Sequence, residues 1–239
     1  MKRLPLLIVL LLATPIVFAQ KKENVYTTVG GEAIFSFASI NDGSNELGSV
    51  LRFSPVFNFQ NNVHFDQSDN FGIFTGLNAR NVGFIYDIPG TGTRKKHRTY
   101  TLGIPVAIKV GDLTNMFFYG GYEIEFPFNY KEKTFQNEEK VDKFSVWFSD
   151  RTPSVYHTVF GGIQFPGGAN LKFKYYLTNF FNQGFTETDP VTGIKTQPYQ
   201  NMKVNVFYFA LSVTILKGKQ FYYSKDAQAR RLTTRDHIF

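Results

Sequence analysis

From about residue 27 to residue 215 the chain alternates. Leu51, Phe53, Pro55, Phe57, Phe59, Val63 and Phe65 share one parity; Arg52, Ser54, Asn58, Gln60, Asn62, His64 and Asp66 share the other. A period of two marks a β-strand with one apolar face. Tyr100, Leu102, Ile104, Val106, Ile108 and Val110 repeat the pattern, opposed by Thr101, Gly103, Pro105, Ala107 and Lys109. Within Met116–Tyr130, Phe118, Tyr122, Ile124, Phe126, Phe128 and Tyr130 alternate with Glu123 and Glu125. Leu171, Phe173, Tyr175 and Leu177 alternate with Lys172, Lys174 and Tyr176; Phe207, Phe209, Leu211, Val213 and Ile215 alternate with Tyr208, Ala210, Ser212 and Thr214. In Phe71–Asp87 the apolar parity switches from Phe71, Ile73 and Leu77 to Val82, Phe84 and Tyr86, which predicts a bulge near Arg80-Asn81. Runs at 154–165 and, more weakly, 27–40 bring the count to eight strands. No segment shows a convincing helical period.

The connections predict how the strands close. Those at 67–70, 111–115 and 166–169 are tight; those at 41–48, 87–98, 131–153 and 182–202 are longer and more polar. Short turns alternating with long loops are the layout of an antiparallel transmembrane β-barrel. Lipid leaves no unpaired backbone group satisfied, so a spanning sheet must close on itself. One face then meets hydrocarbon, and the polar face lines the lumen. Aromatics at strand ends (Tyr100, Phe128, Tyr130, Phe181) read as an interfacial girdle. The expectation is an all-β, eight-stranded barrel. A ten-strand count is the alternative, if Val141–Ser149 and a segment of 182–202 enter the ring.

Composition sharpens this picture. Of 239 residues 17% are aromatic, with 27 Phe, 13 Tyr and one Trp. Residues 1–19 have a basic start, Lys2-Arg3, an apolar stretch, Leu4–Phe18, and a cleavage point after Ala19, the anatomy of a signal peptide. Its removal leaves 24 basic and 19 acidic residues. The barrel is then expected over 20–216 and a periplasmic tail over 217–239. The absence of Cys excludes disulfides, thiolate metal sites and a lipid-anchored N-terminus.

The segments FGIFTGLNARNVGF, YTLGIPVAIKV and FFYGGYEIEFPF, with the signal peptide and the eight-run layout, resemble small outer-membrane β-barrels of the porin-like superfamily common in Bacteroidetes. The resemblance implies the outer membrane of a diderm bacterium, with lipid and lipopolysaccharide as neighbours. It brings no catalytic residues.

Candidate chemistry is sparse. The polar faces carry Glu32, Arg52, Asp66, Arg80, Lys109, Glu123, Glu125, Lys172 and Lys174. Mixed signs in a narrow lumen predict a network of ion pairs. Arg94, Lys95, Lys96 and Arg98 form a basic cluster in a predicted extracellular loop, suited to lipopolysaccharide phosphates or an acidic partner. The longest loop, 131–153, is expected as an extracellular hairpin or a strand extension, and its Trp147 is a candidate protein contact, as is the tail. His64, His97, His157 and His237 lack metal-ligand spacing, and no catalytic triad is present. No metal, cofactor or nucleic acid is expected. The function read from sequence is a narrow or plugged barrel with a structural, adhesion or docking role, and no enzymatic activity. The alternative is a small pore or an accessory barrel of a transport or secretion complex.

Overall fold

The computed structural model describes residues 24–189 and 192–219. The expected signal peptide and nearly all of the expected tail, from residue 220 on, lie outside the described residues. Five strands are long: β1 (Asn24–Asn41), β6 (Phe71–Ile88), β7 (Thr93–Gly111), β8 (Phe117–Gln136) and β14 (Lys203–Lys219). Four are shorter: β5 (Phe59–Asp66), β9 (Glu139–Trp147), β10 (Tyr156–Gln164) and β11 (Ala169–Tyr176). The remaining pieces are β2 (Glu46–Leu47), β3 (Ser49–Val50), β4 (Arg52–Ser54), β12 (Glu187–Thr188) and β13 (Lys195–Thr196).

Eight strands form a closed antiparallel ring in the order β1-β5-β6-β7-β8-β10-β11-β14, with β14 returning to β1. The expected eight-stranded barrel is therefore present. The strand holding β5 is broken. Gly31 pairs with Phe59 and Ile34 with Ser54, so three steps along β1 face five on the partner. The surplus of two residues, around Pro55–Asn58, keeps every side chain on its own face. Pro55 supplies no backbone donor, and Phe57 takes a positive φ of 66° there.

One end of the barrel has tight turns, at 67–70, 112–116 and 165–168, and also carries Asn24. At the other end the strands themselves run on. The expected loop at 87–98 is a hairpin: β6 reaches Ile88, β7 starts at Thr93, and Gly90 and Gly92 take positive φ between them. Its residues are polar on both faces, so hydrophobicity alone could not reveal the strand. The expected loop at 131–153 is likewise mostly strand. β8 continues to Gln136, turns at Asn137-Glu138 (φ 50° and 71°, as in a type I′ turn) and returns as β9. Along β8, β9 pairs with Asn129–Gln136 and β10 with Phe117–Glu125. β9 is thus an extension above the ring, and the ten-strand alternative is not realised. β12 and β13 form a separate small ribbon in the final loop.

The faces are inverted relative to a soluble barrel. Phe53, Phe59, Leu77, Leu102, Ile104, Val106, Ile108, Phe118, Phe126, Val159, Phe173, Phe209 and Leu211 are exposed on the outer wall. The charged residues expected in the lumen are all buried. At about 25 cal/mol per Å², a belt of that kind is stable only where hydrocarbon replaces water around it.

Two expectations about faces are corrected. The pairing of β6 with β7 keeps one register from Phe71–Val110 to Ile88–Thr93, so there is no bulge at Arg80-Asn81. Instead Val82, Phe84 and Tyr86 point inward and build an apolar core in the upper lumen. The bulge lies in β8, where Tyr100 pairs with Asn129 and Thr101 with Pro127. Phe128 is the extra residue, and beyond it Tyr130 turns into the lumen. Tyr130 and Phe181 are therefore core residues, not girdle, while Tyr100 and Phe128 are joined outside by Trp147.

Candidate functional site

The middle of the lumen is filled by a charge cluster. Glu32 comes from β1, Arg80 from β6, Glu123 and Glu125 from β8, and Lys172 and Lys174 from β11. Arg80 Nε donates to Glu32 Oε2 at 2.9 Å, and its Nη1 reaches Glu123 Oε1 and, at 3.4 Å, Glu125 Oε1. Lys174 Nζ donates to Glu123 Oε2 at 2.6 Å and also to Glu125. Lys172 pairs with Glu32. Three cations meet three carboxylates, so the cluster is neutral.

Its remaining lone pairs are also used. Asn78 Nδ2 donates to Glu123 Oε1 at 3.0 Å; Thr101 Oγ1 and Tyr176 OH donate to Glu125 Oε2 at 2.9 and 2.7 Å. Gly103 leaves the room: a Cβ there would lie 2.2 Å from Glu123 Oε1. Burying unpaired charge costs several kcal/mol per ion, and this arrangement avoids that by balance and saturation. Lys109 and Asp66 form a separate pair at the turn end, with Tyr26 OH 3.2 Å from Lys109 Nζ.

Eight of the nine expected lumen charges are therefore in ion pairs. Arg52 is the exception. It donates to Asn81 Oδ1 at 2.6 Å and Asn81 O at 3.2 Å, and its Nε has no partner. The break after Ser54 sets it apart from the cluster, and the charged group acting on it is Arg98.

Above the cluster the lumen is aromatic. Phe180 and Phe181, at the start of the 177–202 connection, lie edge-on to Phe84, with Phe180 at 5.0 Å. Phe181 stacks on Tyr199 at 4.1 Å. Backbone and side-chain bonds pin this plug: Phe180 N to Val204 O at 2.8 Å, Tyr156 OH to Phe180 O at 2.8 Å, and Asn179 Oδ1 from Val204 N at 2.7 Å. His97, expected in a loop, is buried beside it; its Nδ1 is 2.8 Å from Tyr130 OH, which donates to Glu132. Below the cluster lies a cavity of about 350 Å³, lined by Asn62, Asn78, Tyr119, Phe160 and Asn170, with Arg80 and Glu123 at its roof.

The expected extracellular contacts separate. Arg94 pairs with Asp87 at 2.6 Å, and Lys95 with Glu132 at 3.3 Å. Lys96 and Arg98 share the outer wall of β7 with Arg94, Lys95 is on the opposite face, and Trp147 is exposed on β9. Tyr156, Tyr199 and Phe180 belong to the lumen core but were not among the expected site residues. Their signal in sequence is weak, because an aromatic in a loop or at a strand end reads equally as girdle.

No family model and no curated protein matches the chain. Among solved structures it is similar to Ail, the attachment invasion locus protein of Yersinia pestis, at 8% identity, covering 80% of this chain and 98% of that one, with a TM-score of 0.36. The outer membrane protein OprG of Pseudomonas aeruginosa gives 13% identity, 84% and 98% coverage and a TM-score of 0.37. The outer membrane protease OmpT of Escherichia coli gives 9%, 83% and 96%, and 0.36. These likenesses are distant. The barrel stands on its own strand ring, and nothing about activity passes across from them.

Proposed function

We infer that this chain is an integral outer-membrane β-barrel whose lumen is closed, and whose work is done at the long-strand end by surface contact rather than by passage of solutes or by catalysis. The observation that carries this is the mid-lumen cluster: Arg80, Glu123, Glu125 and Lys174 are at most 1% exposed and fully paired. An eight-stranded interior is only wide enough to be filled by side chains, and here it is filled twice, by charge and then by Phe180 and Phe181. The outer apolar belt and the aromatics above it support the membrane location. Glu123 and Glu125 are at most 1% exposed and share their cations, which argues against acid–base chemistry.

The purified protein in a planar bilayer is expected to give no steady ion current. A stable current altered by Glu123→Gln or Lys172→Gln would overturn the closed-lumen reading. The pore alternative draws on one feature, the cavity that enters from the turn end and stops at Arg80 and Glu123. Location is tested by gel mobility of the unboiled protein, which is expected to change on heating.

A further inference from the structure

Three strands carry cations outward just above the aromatic band. In β7, β8 and β9 the pairing sets Lys96 beside Lys133 and Lys133 beside Lys143 in one row. The next row, one strand repeat closer to the apolar belt, holds Arg98, Lys131 and Ser145. The row after that is Tyr100, Asn129 and Trp147, and then Leu102 and Phe126 begin the belt. No carboxylate occurs on this face in any of these rows. The inward-facing residues between them include Glu132, which Lys95 and Tyr130 occupy from the other side.

The neighbours of these cations are further cations. Arg98, Lys143, Lys140 and Lys131 act on Lys133; Arg52 and Arg98 act on Lys96. Arg52 itself is 2% exposed, has no carboxylate in ion-pair reach among the described residues, and keeps an unpaired Nε. Arg94 is different: its hydrogen bond to Asp87 holds that carboxyl below the usual carboxylate range. Five like charges side by side, backed by a sixth that is buried, create a positive field that a counter-charge from outside would relieve.

Depth decides what supplies it. The guanidinium of Arg98 lies 5.8 Å from the Tyr100 ring centre, and Lys131 Nζ 5.3 Å from it. Successive outward side chains are about 7 Å apart along a strand. The two basic rows therefore stand within roughly 15 Å of the aromatic band, the layer of lipid headgroups. We propose that Lys96, Arg98, Lys131, Lys133 and Lys143 form a binding patch for the phosphate groups of a phosphorylated glycolipid in the leaflet at the long-strand end. This rests on the membrane-barrel reading and adds to it a named lipid contact. It also moves the contact from the linear cluster Arg94–Arg98 to a wall of three strands, and drops Arg94 and Lys95, whose charges are already matched.

The test uses the full chain in neutral detergent, with native mass spectrometry against a bis-phosphorylated lipid A, the same lipid without phosphates, and inorganic pyrophosphate. The phosphorylated lipid is expected to bind at least about tenfold tighter than the dephosphorylated one, and pyrophosphate at the same concentration is expected not to displace it. Lys96→Gln/Lys131→Gln/Lys133→Gln is expected to lose the preference, and Arg94→Gln/Lys95→Gln to keep it. Lys143→Glu, a single exposed change, should weaken it in a protein whose fold is not at issue. Equal binding of the two lipids overturns the proposal, as does a preference that survives the triple variant. So does displacement by pyrophosphate, which would assign the patch to a soluble anion. If the wild-type band does not shift on boiling, it is the barrel reading that fails, and that outcome is separate from any lipid result.

Discussion

The lumen closes in two chemically opposite ways within one tube. Around Arg80 it is filled by charge and saturated hydrogen bonds; one layer higher, around Phe84 and Phe180, it is filled by aromatic rings. The two layers are equally buried, yet they differ in what holds them. The aromatic layer gains from each apolar contact independently and tolerates imperfect neighbours. The charge layer gains only as a set, because each carboxylate relies on more than one cation. Position along the barrel explains the assignment. The charge layer is built by residues fixed on five ring strands, β1, β6, β7, β8 and β11, that hold donors and acceptors at set distances. The aromatic layer lies where β8 pairs with β9 and no longer with the ring strand β10, and there a loop must supply the filling.

The largest effect is expected from breaking the charge layer at its centre. Arg80→Ala leaves Glu32, Glu123 and Glu125 with two lysines and a net negative charge in a buried interior. A loss of about 3–5 kcal/mol is expected, read as the urea midpoint of the heat-modifiable species in detergent. The comparison sharpens with a compensated variant. Arg80→Met combined with Glu123→Gln restores neutrality and should recover most of the loss. If it does not, the layer is held by shape rather than by charge.

The aromatic layer should yield less. Phe180→Ala removes one ring from a packed face, at a cost of about 3 kcal/mol, at the low end for such truncations because the loop can settle. The bilayer experiment then separates the two closures. Phe180→Ala/Phe181→Ala is expected to stay non-conducting, since the charge layer below still seals the tube. A steady current from that variant alone would make the plug the only barrier.

The contrast between the layers also explains what was legible beforehand. The charge layer was readable because Glu123 and Glu125 interrupt an aromatic run on one parity, and Lys172 and Lys174 do the same opposite them. Parity in a strand fixes the face, so the residues could be collected without knowing register. Which charges would pair could not be read, because register depends on contacts across strands; Lys109 joins Asp66, and Arg52 joins neither group. The aromatic layer misled the parity rule twice. Val82, Phe84 and Tyr86 kept their register and went inward, since above the membrane the apolar face need no longer be the outer one. Tyr130 changed sides at a one-residue bulge that Phe128 gives no local sign of. The hairpin at 87–98 was hidden for the same reason: beyond the lipid both faces of a strand can be polar, and hydrophobicity loses its period.

The smallest effect is expected outside both layers, at Arg94. Its pair with Asp87 is half exposed on both sides, and such pairs contribute between nothing and about 1 kcal/mol. Arg94→Gln should therefore shift the urea midpoint barely at all at neutral pH. The sign of any residual is set by Asp87, whose carboxyl is held below its ordinary value by the Arg94 hydrogen bond. A group lowered on folding stabilises above its unfolded pKa, and that contribution disappears as pH falls through the folded value. Wild type and Arg94→Gln should thus converge in acid and differ slightly, in favour of wild type, near neutrality. A difference as large as that of Arg80→Ala would mean that the extended hairpin, not the lumen, holds the barrel together.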